Sequence, residues 1–139
     1  MSKMKGQLSI EYILLLAVSL AILCILFASY SYLYKAGVYA NDVLNAKNFS
    51  ISFSSFCQTS SLAGDGTKTE LLANVLENWV IRNKDKKVLI IVKSKTNKEK
   101  EFFFDCAPGF VSSFDFNLSE SKHLILEKKK GKIEIRLEN

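Results

Sequence analysis

Between Ile13 and Tyr34 the chain has no formal charge, no glycine and no proline over 22 residues. Those absences exclude a turn, a solvated face and a proline kink within one continuous apolar run. As a helix rising about 1.5 Å per residue, the run is a rod of roughly 33 Å, long enough to cross a bilayer core. Other scarcities narrow the chemistry. With one histidine, His123, a zinc site has few ligands to draw on. There is no glycine-rich phosphate loop, no nucleophile motif and no metal-ligand spacing, and Ser121-Lys122-His123-Leu124 reads as strand with an outward imidazole. No cofactor, metal or enzymatic activity is therefore expected. No internal repeat or low-complexity linker interrupts the sequence, which leaves room for one small domain after the rod.

What stands before the rod is as informative. Lys3 and Lys5 precede Gly6-Gln7-Leu8-Ser9-Ile10-Glu11-Tyr12, so one acid sits at the edge of the apolar segment. An ordinary secretory signal carries its small-residue cleavage site after the hydrophobic stretch. Here the small residue comes before it, and a cut after Gly6 would leave the helix on the mature chain. The two lysines hold the amino terminus inside and place the carboxy-terminal domain outside. Lys35 and Lys47 beyond the rod weaken that asymmetry without reversing it. The net charge of +5 includes both leader lysines, and the remaining excess is too small to demand an anionic partner.

The run Gly6-Gln7-x-Ser9-x-Glu11-Tyr12 resembles the class III signal peptide of archaeal type IV pilins and pilin-like proteins. The match covers about residues 3–30. It implies cleavage between Gly6 and Gln7 by a prepilin peptidase, with Glu11 the fifth residue of the processed chain. It also implies a homo- or hetero-polymer with other pilins, a cytoplasmic assembly ATPase and a membrane platform protein. Glu11 and Tyr12 are then the candidate assembly residues. Many bacterial pilins bend this helix at a proline or glycine; this chain has neither between Gln7 and Ala36, so a straighter helix is expected.

Glu11 has a physical argument of its own. A carboxylate carried to mid-membrane costs about 2.5–3.5 kcal/mol, so one that persists in an apolar helix usually has a partner. Cleavage after Gly6 would create an α-amino group four residues away, available to Glu11 of a neighbouring copy. The plain alternative is a solvated acid at headgroup level.

The exterior placement colours three further features. Cys57 and Cys106 form an even pair outside the rod and read as a disulfide, the alternatives being buried thiols or an incomplete metal pair. Cys24, inside the rod, reads as packing. Asn48-Phe49-Ser50 and Asn117-Leu118-Ser119 satisfy the N-glycosylation pattern, or the asparagines simply sit at turns. Lysines cluster at 84–87, 93–100 and 128–132, but acids are interspersed, and turn lysines commonly solvate sheet edges. Nucleic acid is not the expected partner.

The expected fold is α+β: a long hydrophobic amino-terminal helix followed by a small, mostly antiparallel sheet. Its divisions are a leader at 1–6, a helix at 7–47 with Tyr30, Tyr32, Tyr34 and Tyr39 at its outer end, and a β-rich head at 48–139. Within the head, Phe49, Ile51 and Phe53 alternate with serines, which predicts a half-buried strand over 48–57. Thr67-x-x-Glu70 resembles a capping box and predicts a short helix to about Asn78, although Trp79–Arg82 also suits a strand. Two hairpins are expected: 88–95 with 101–106, and 123–128 with 132–137 around Lys129-Lys130-Gly131. The functional expectation is a surface filament subunit serving adhesion. The rival is a monomeric binding domain held at the membrane by an uncleaved helix.

Overall fold

A computed structural model describes residues 3–138, with side chains from residue 10 onward. One helix, α1 (Lys3–Leu62), precedes seven strands: β1 (Lys68–Ala73), β2 (Asn78–Lys84), β3 (Lys87–Lys93), β4 (Glu99–Asp105), β5 (Asp115–Leu118), β6 (Lys122–Lys129) and β7 (Lys132–Glu138). The α+β class follows directly. The chain divides into two compact units, Met1–Gly37 and Val38–Asn139.

The second unit holds two antiparallel sheets, of order β1-β6-β7 and β4-β3-β2-β5. Each sheet has one apolar face, and the last third of α1 supplies the surface that both bury against. Asp42, Ala46, Phe49, Phe53, Phe56, Cys57 and Ser60 are buried in steps of three and four residues, the period of one helix face. Trp79, Ile81, Val88, Ile90 and Val92 approach from one sheet, and Leu124, Leu126 and Ile133 from the other, closing a single core. Phe49 lies 5.9 Å from the Trp79 ring, and Phe53 lies 5.3 Å from Phe104 and 6.3 Å from Phe110. Burying a large apolar side chain of this kind stabilises by about 1.5–3 kcal/mol.

The expected strand over 48–57 is helix instead. Phe49 and Phe53 satisfy period two and the helical i, i+4 spacing equally well, and Ile51 decides between them. A strand burying Phe49 and Phe53 would bury Ile51 as well, yet it is 57% exposed. Ser50, one of the serines that suggest alternation, is absorbed by the helix itself: its hydroxyl donates to the Lys47 carbonyl, as those of Ser60 and Ser61 farther along donate to Cys57 and Gln58. The helix therefore runs past residue 47 to Leu62.

The expected helix over 67–78 is strand β1 and a connecting turn. Thr67 donates backward to the Gly64 carbonyl rather than capping a following turn. Thr69, Leu71 and Ala73 face inward and alternate with exposed Lys68, Glu70 and Leu72. Pairing along β6 satisfies the backbone of this short segment, and that tertiary contact outweighs the local capping signal. Both expected hairpins are present. Lys129 pairs with Lys132 across a two-residue loop in which Lys130 and Gly131 adopt φ of 50° and 74°, the left-handed pair of a tight hairpin turn.

Three polar or covalent ties fix the helix to the sheets. Buried Asp42 accepts hydrogen bonds from the Leu76 and Glu77 amides at 3.0 and 3.1 Å and from the Trp79 indole at 2.8 Å. At the other end, buried Lys128 of β6 donates from Nζ to the carbonyls of Ser60 and Ala63, both at 2.6 Å. The last turn of α1 has no basic residue of its own, so the sheet supplies the cation that its free carbonyls attract. Between these ties, Cys57 and Cys106 form the expected disulfide, with Cα atoms 5.2 Å apart.

Replacing Lys128 by Met should cost about 1–3 kcal/mol, because two helix-end carbonyls lose their donor. Asp42→Asn should cost a similar amount, since its NH2 opposes a donor that the carboxylate accepts. Chemical denaturation of the full chain in detergent micelles measures both; unchanged midpoints would refute the ties. The disulfide closes a separation of 49 residues, and its reduction should remove up to about 4 kcal/mol. A thiol reagent followed by mass spectrometry should label Cys24 alone before reduction and all three cysteines after it.

Candidate assembly segment and exposed head residues

The apolar rod carries its hydrophobic side chains on every side of the helix. Leu15, Ile25, Phe27 and Leu33 are all well exposed, and none of the apolar window is buried against the rest of the chain. The segment is long and apolar enough to cross a membrane. Its hydroxyls raise no obstacle to that. Ser19 donates to the Leu16 carbonyl at 2.8 Å and Ser29 to the Ile25 carbonyl at 2.9 Å, so both are satisfied within the helix. Tyr30 and Tyr34 stack one turn apart, with ring centres 6.4 Å apart, and Tyr32 is likewise exposed. Cys24 is an exposed free thiol on the same rod.

Glu11 and Tyr12 occupy adjoining exposed positions at the start of this surface. Among the described residues, no salt bridge reaches Glu11 within its own chain. Gly6 and Gln7 fall within the span of α1, but the side chain of Gln7 lies outside the described residues, as do those of Lys3 and Lys5.

In the head, both glycosylation acceptors are exposed, but neither sits at a turn. Asn48 is on α1 and Asn117 on β5, an edge strand of the four-stranded sheet. Within the lysine clusters Lys93 and Lys129 have carboxylate partners, as does Lys122 outside them. Lys93 meets Glu99 at 3.3 Å, Lys122 meets Glu120 at 2.9 Å, and Lys129 meets Glu134 at 2.6 Å and Glu127 at 3.2 Å. Hydrogen bonds to Glu134 and then Glu127 raise the Lys129 ammonium above its ordinary value, and the same contact with Lys129, with help from Arg136, lowers Glu134. Tyr39 is pushed upward by burial first and by the charges of Glu77 and Glu99 after that.

Sequence reasoning passed over the side chains that organise the head. Lys128 falls in a cluster expected to solvate a sheet edge, and Asp42 carries no motif, although it falls in step with Ala46, Phe49 and Phe53, a signal visible once the helix is extended. His123 is exposed on β6, as expected, with Nδ1 hydrogen-bonded to Glu70. An open groove of about 360 Å³ beside β4 is lined by Ile51, Phe102, Phe103 and Phe104 together with serines of α1.

Phe103 is 80% exposed in that groove. Phe103→Ser should therefore leave stability within about 0.5 kcal/mol of the parent. Phe53→Ala, in the core, should cost about 3–5 kcal/mol by the same denaturation measurement. No family model matches the chain, and neither a curated protein nor a solved structure does.

Proposed function

We propose that the chain is the precursor of a structural subunit of a type IV pilus-like surface filament, cleaved after Gly6 and polymerised through its amino-terminal helix. The observation that carries this reading is the order of features at the amino terminus. A basic leader, Gly6-Gln7, a single acid at Glu11 and an apolar helix unpartnered in its own chain follow one another without interruption. A helix apolar around its whole circumference needs an apolar surround. Lipid supplies that before assembly, and the helices of other subunits supply it afterwards. Dispersion and shape then favour the bundle, because lipid and helix surfaces are comparably apolar.

Glu11 gives the bundle its register. A desolvated carboxylate next to an amine is tolerable, whereas an unpaired one is expensive. Subunits staggered so that the Gln7 amine of one meets Glu11 of the next avoid that cost. The partners are a prepilin peptidase, an assembly ATPase, a membrane platform protein and other pilins. The folded head, with its disulfide, is the part displayed outside the cell, and adhesion is its proposed task.

Mass spectrometry of the amino-terminal peptide from material sheared off the cell surface tests processing. A terminus at Gln7 is the expected result. An intact leader recovered only in membranes would overturn the filament reading in favour of an anchored binding domain. Gly6→Leu should block cleavage, and Glu11→Ala should leave cleavage intact while abolishing filaments seen by electron microscopy. Normal filaments from the Glu11→Ala protein would remove the proposed register mechanism.

A further inference from the structure

The outward face of the β1-β6-β7 sheet brings together three residues distant in sequence. His123 of β6 stands directly opposite Glu138 of β7 and Leu72 of β1, and Glu70 lies two residues before Leu72 on the same face. One ligand atom from each of Glu70, His123 and Glu138 falls within 4.8 Å of the other two. We propose that these three side chains form a surface site for a divalent transition-metal ion of the zinc class.

The electrostatics of the face support the assignment independently of the geometry. Its other acids have cationic partners: Glu127 and Glu134 bind Lys129, and Arg136 is turned onto Glu134 through Nε and Nη2 at 3.1 and 2.9 Å. Among the described residues, no lysine or arginine reaches Glu70 or Glu138. Their shared neighbour is the His123 imidazole, a nitrogen donor. Two carboxylates without a lysine or arginine partner, set beside a ring nitrogen, make a donor set whose negative charge a divalent cation would neutralise.

The donor types select the ion. Imidazole nitrogen with carboxylate oxygen suits zinc and its neighbours, whereas calcium and magnesium prefer oxygen alone. Tetrahedral zinc, with bonds of about 2.0–2.2 Å, needs its ligand atoms roughly 3.3 Å apart. All three side chains are exposed, while their backbones are fixed by strand pairing. Three protein ligands leave a fourth position for water. No sequence motif announces the set, because each member comes from a different strand and the sheet alone makes them neighbours.

The test uses the full chain in detergent micelles with Cys24→Ser, which removes the free thiol as a competing ligand. Because His123 is the one histidine, its ring resonances report on the site without assignment ambiguity. Titration with zinc alone near pH 7 should move those resonances saturably, and equilibrium dialysis with elemental analysis should find one zinc per chain. His123→Gln should abolish binding. Glu70→Gln and Glu138→Gln should each weaken it by about tenfold or more, at least the loss usual for an outer-shell partner. Glu120→Gln, removing an acid outside the cluster, should change nothing. Zinc binding that persists in His123→Gln, equal competition by calcium, or no binding up to roughly millimolar zinc, the limit of weak association, would overturn the assignment.

Discussion

Two small sheets, each apolar on one face, bury those faces here with a shared third surface, and the last turns of α1 provide it. From Asp42 to Ser60 the helix offers a stripe in three- and four-residue steps, with Phe49 and Phe53 at its centre. Remove that stripe and Trp79, Ile81, Leu124 and Ile133 lose their common neighbour. The head's stability therefore resides in the same helix whose earlier turns are predominantly apolar and exposed.

Hydrophobic contact is non-directional and would tolerate sliding of the helix along the sheets. Directional groups at the two ends of the stripe remove that freedom. Asp42 holds the loop before β2 and the Trp79 indole, and Lys128 holds the last carbonyls of α1. Each is a buried charge satisfied by several partners, and a shift by one residue would strand both. The Cys57–Cys106 bond ties helix to β-region between them and limits how far the unfolded chain expands. For a unit of this size, with its modest core, such ties matter more than in a large domain.

The same exposed helix that is costly in water is an asset in a filament. Its Ser19 and Ser29 hydroxyls are satisfied internally, and the rod presents mainly hydrocarbon and tyrosine rings to whatever surrounds it. Under the proposed function, one acid among these groups is enough to select a single stagger between copies. Nothing in this scheme requires the head to change shape, which leaves its outer faces free to bind.

Much of the architecture was legible in the residues, and the failures have a common cause. The rod and the order of helix then sheet follow from composition and charge, which act locally. The two hairpins were readable because Thr96–Lys100 and Lys130-Gly131 carry turn chemistry, and Asn97, Lys130 and Gly131 do take positive φ. Residues 48–57 and 67–78 were misread because their apolar spacing fits either period, and only the neighbours break the tie. Ile51 is exposed because the sheets lie on the other side of the helix, and β1 is extended because β6 offers it partners. Local sequence thus determined which segments are apolar and where the chain can turn. Tertiary structure decided what Asp42, Lys128, Glu70, His123 and Glu138 touch, because those contacts join strands and helix across distances that no local pattern encodes.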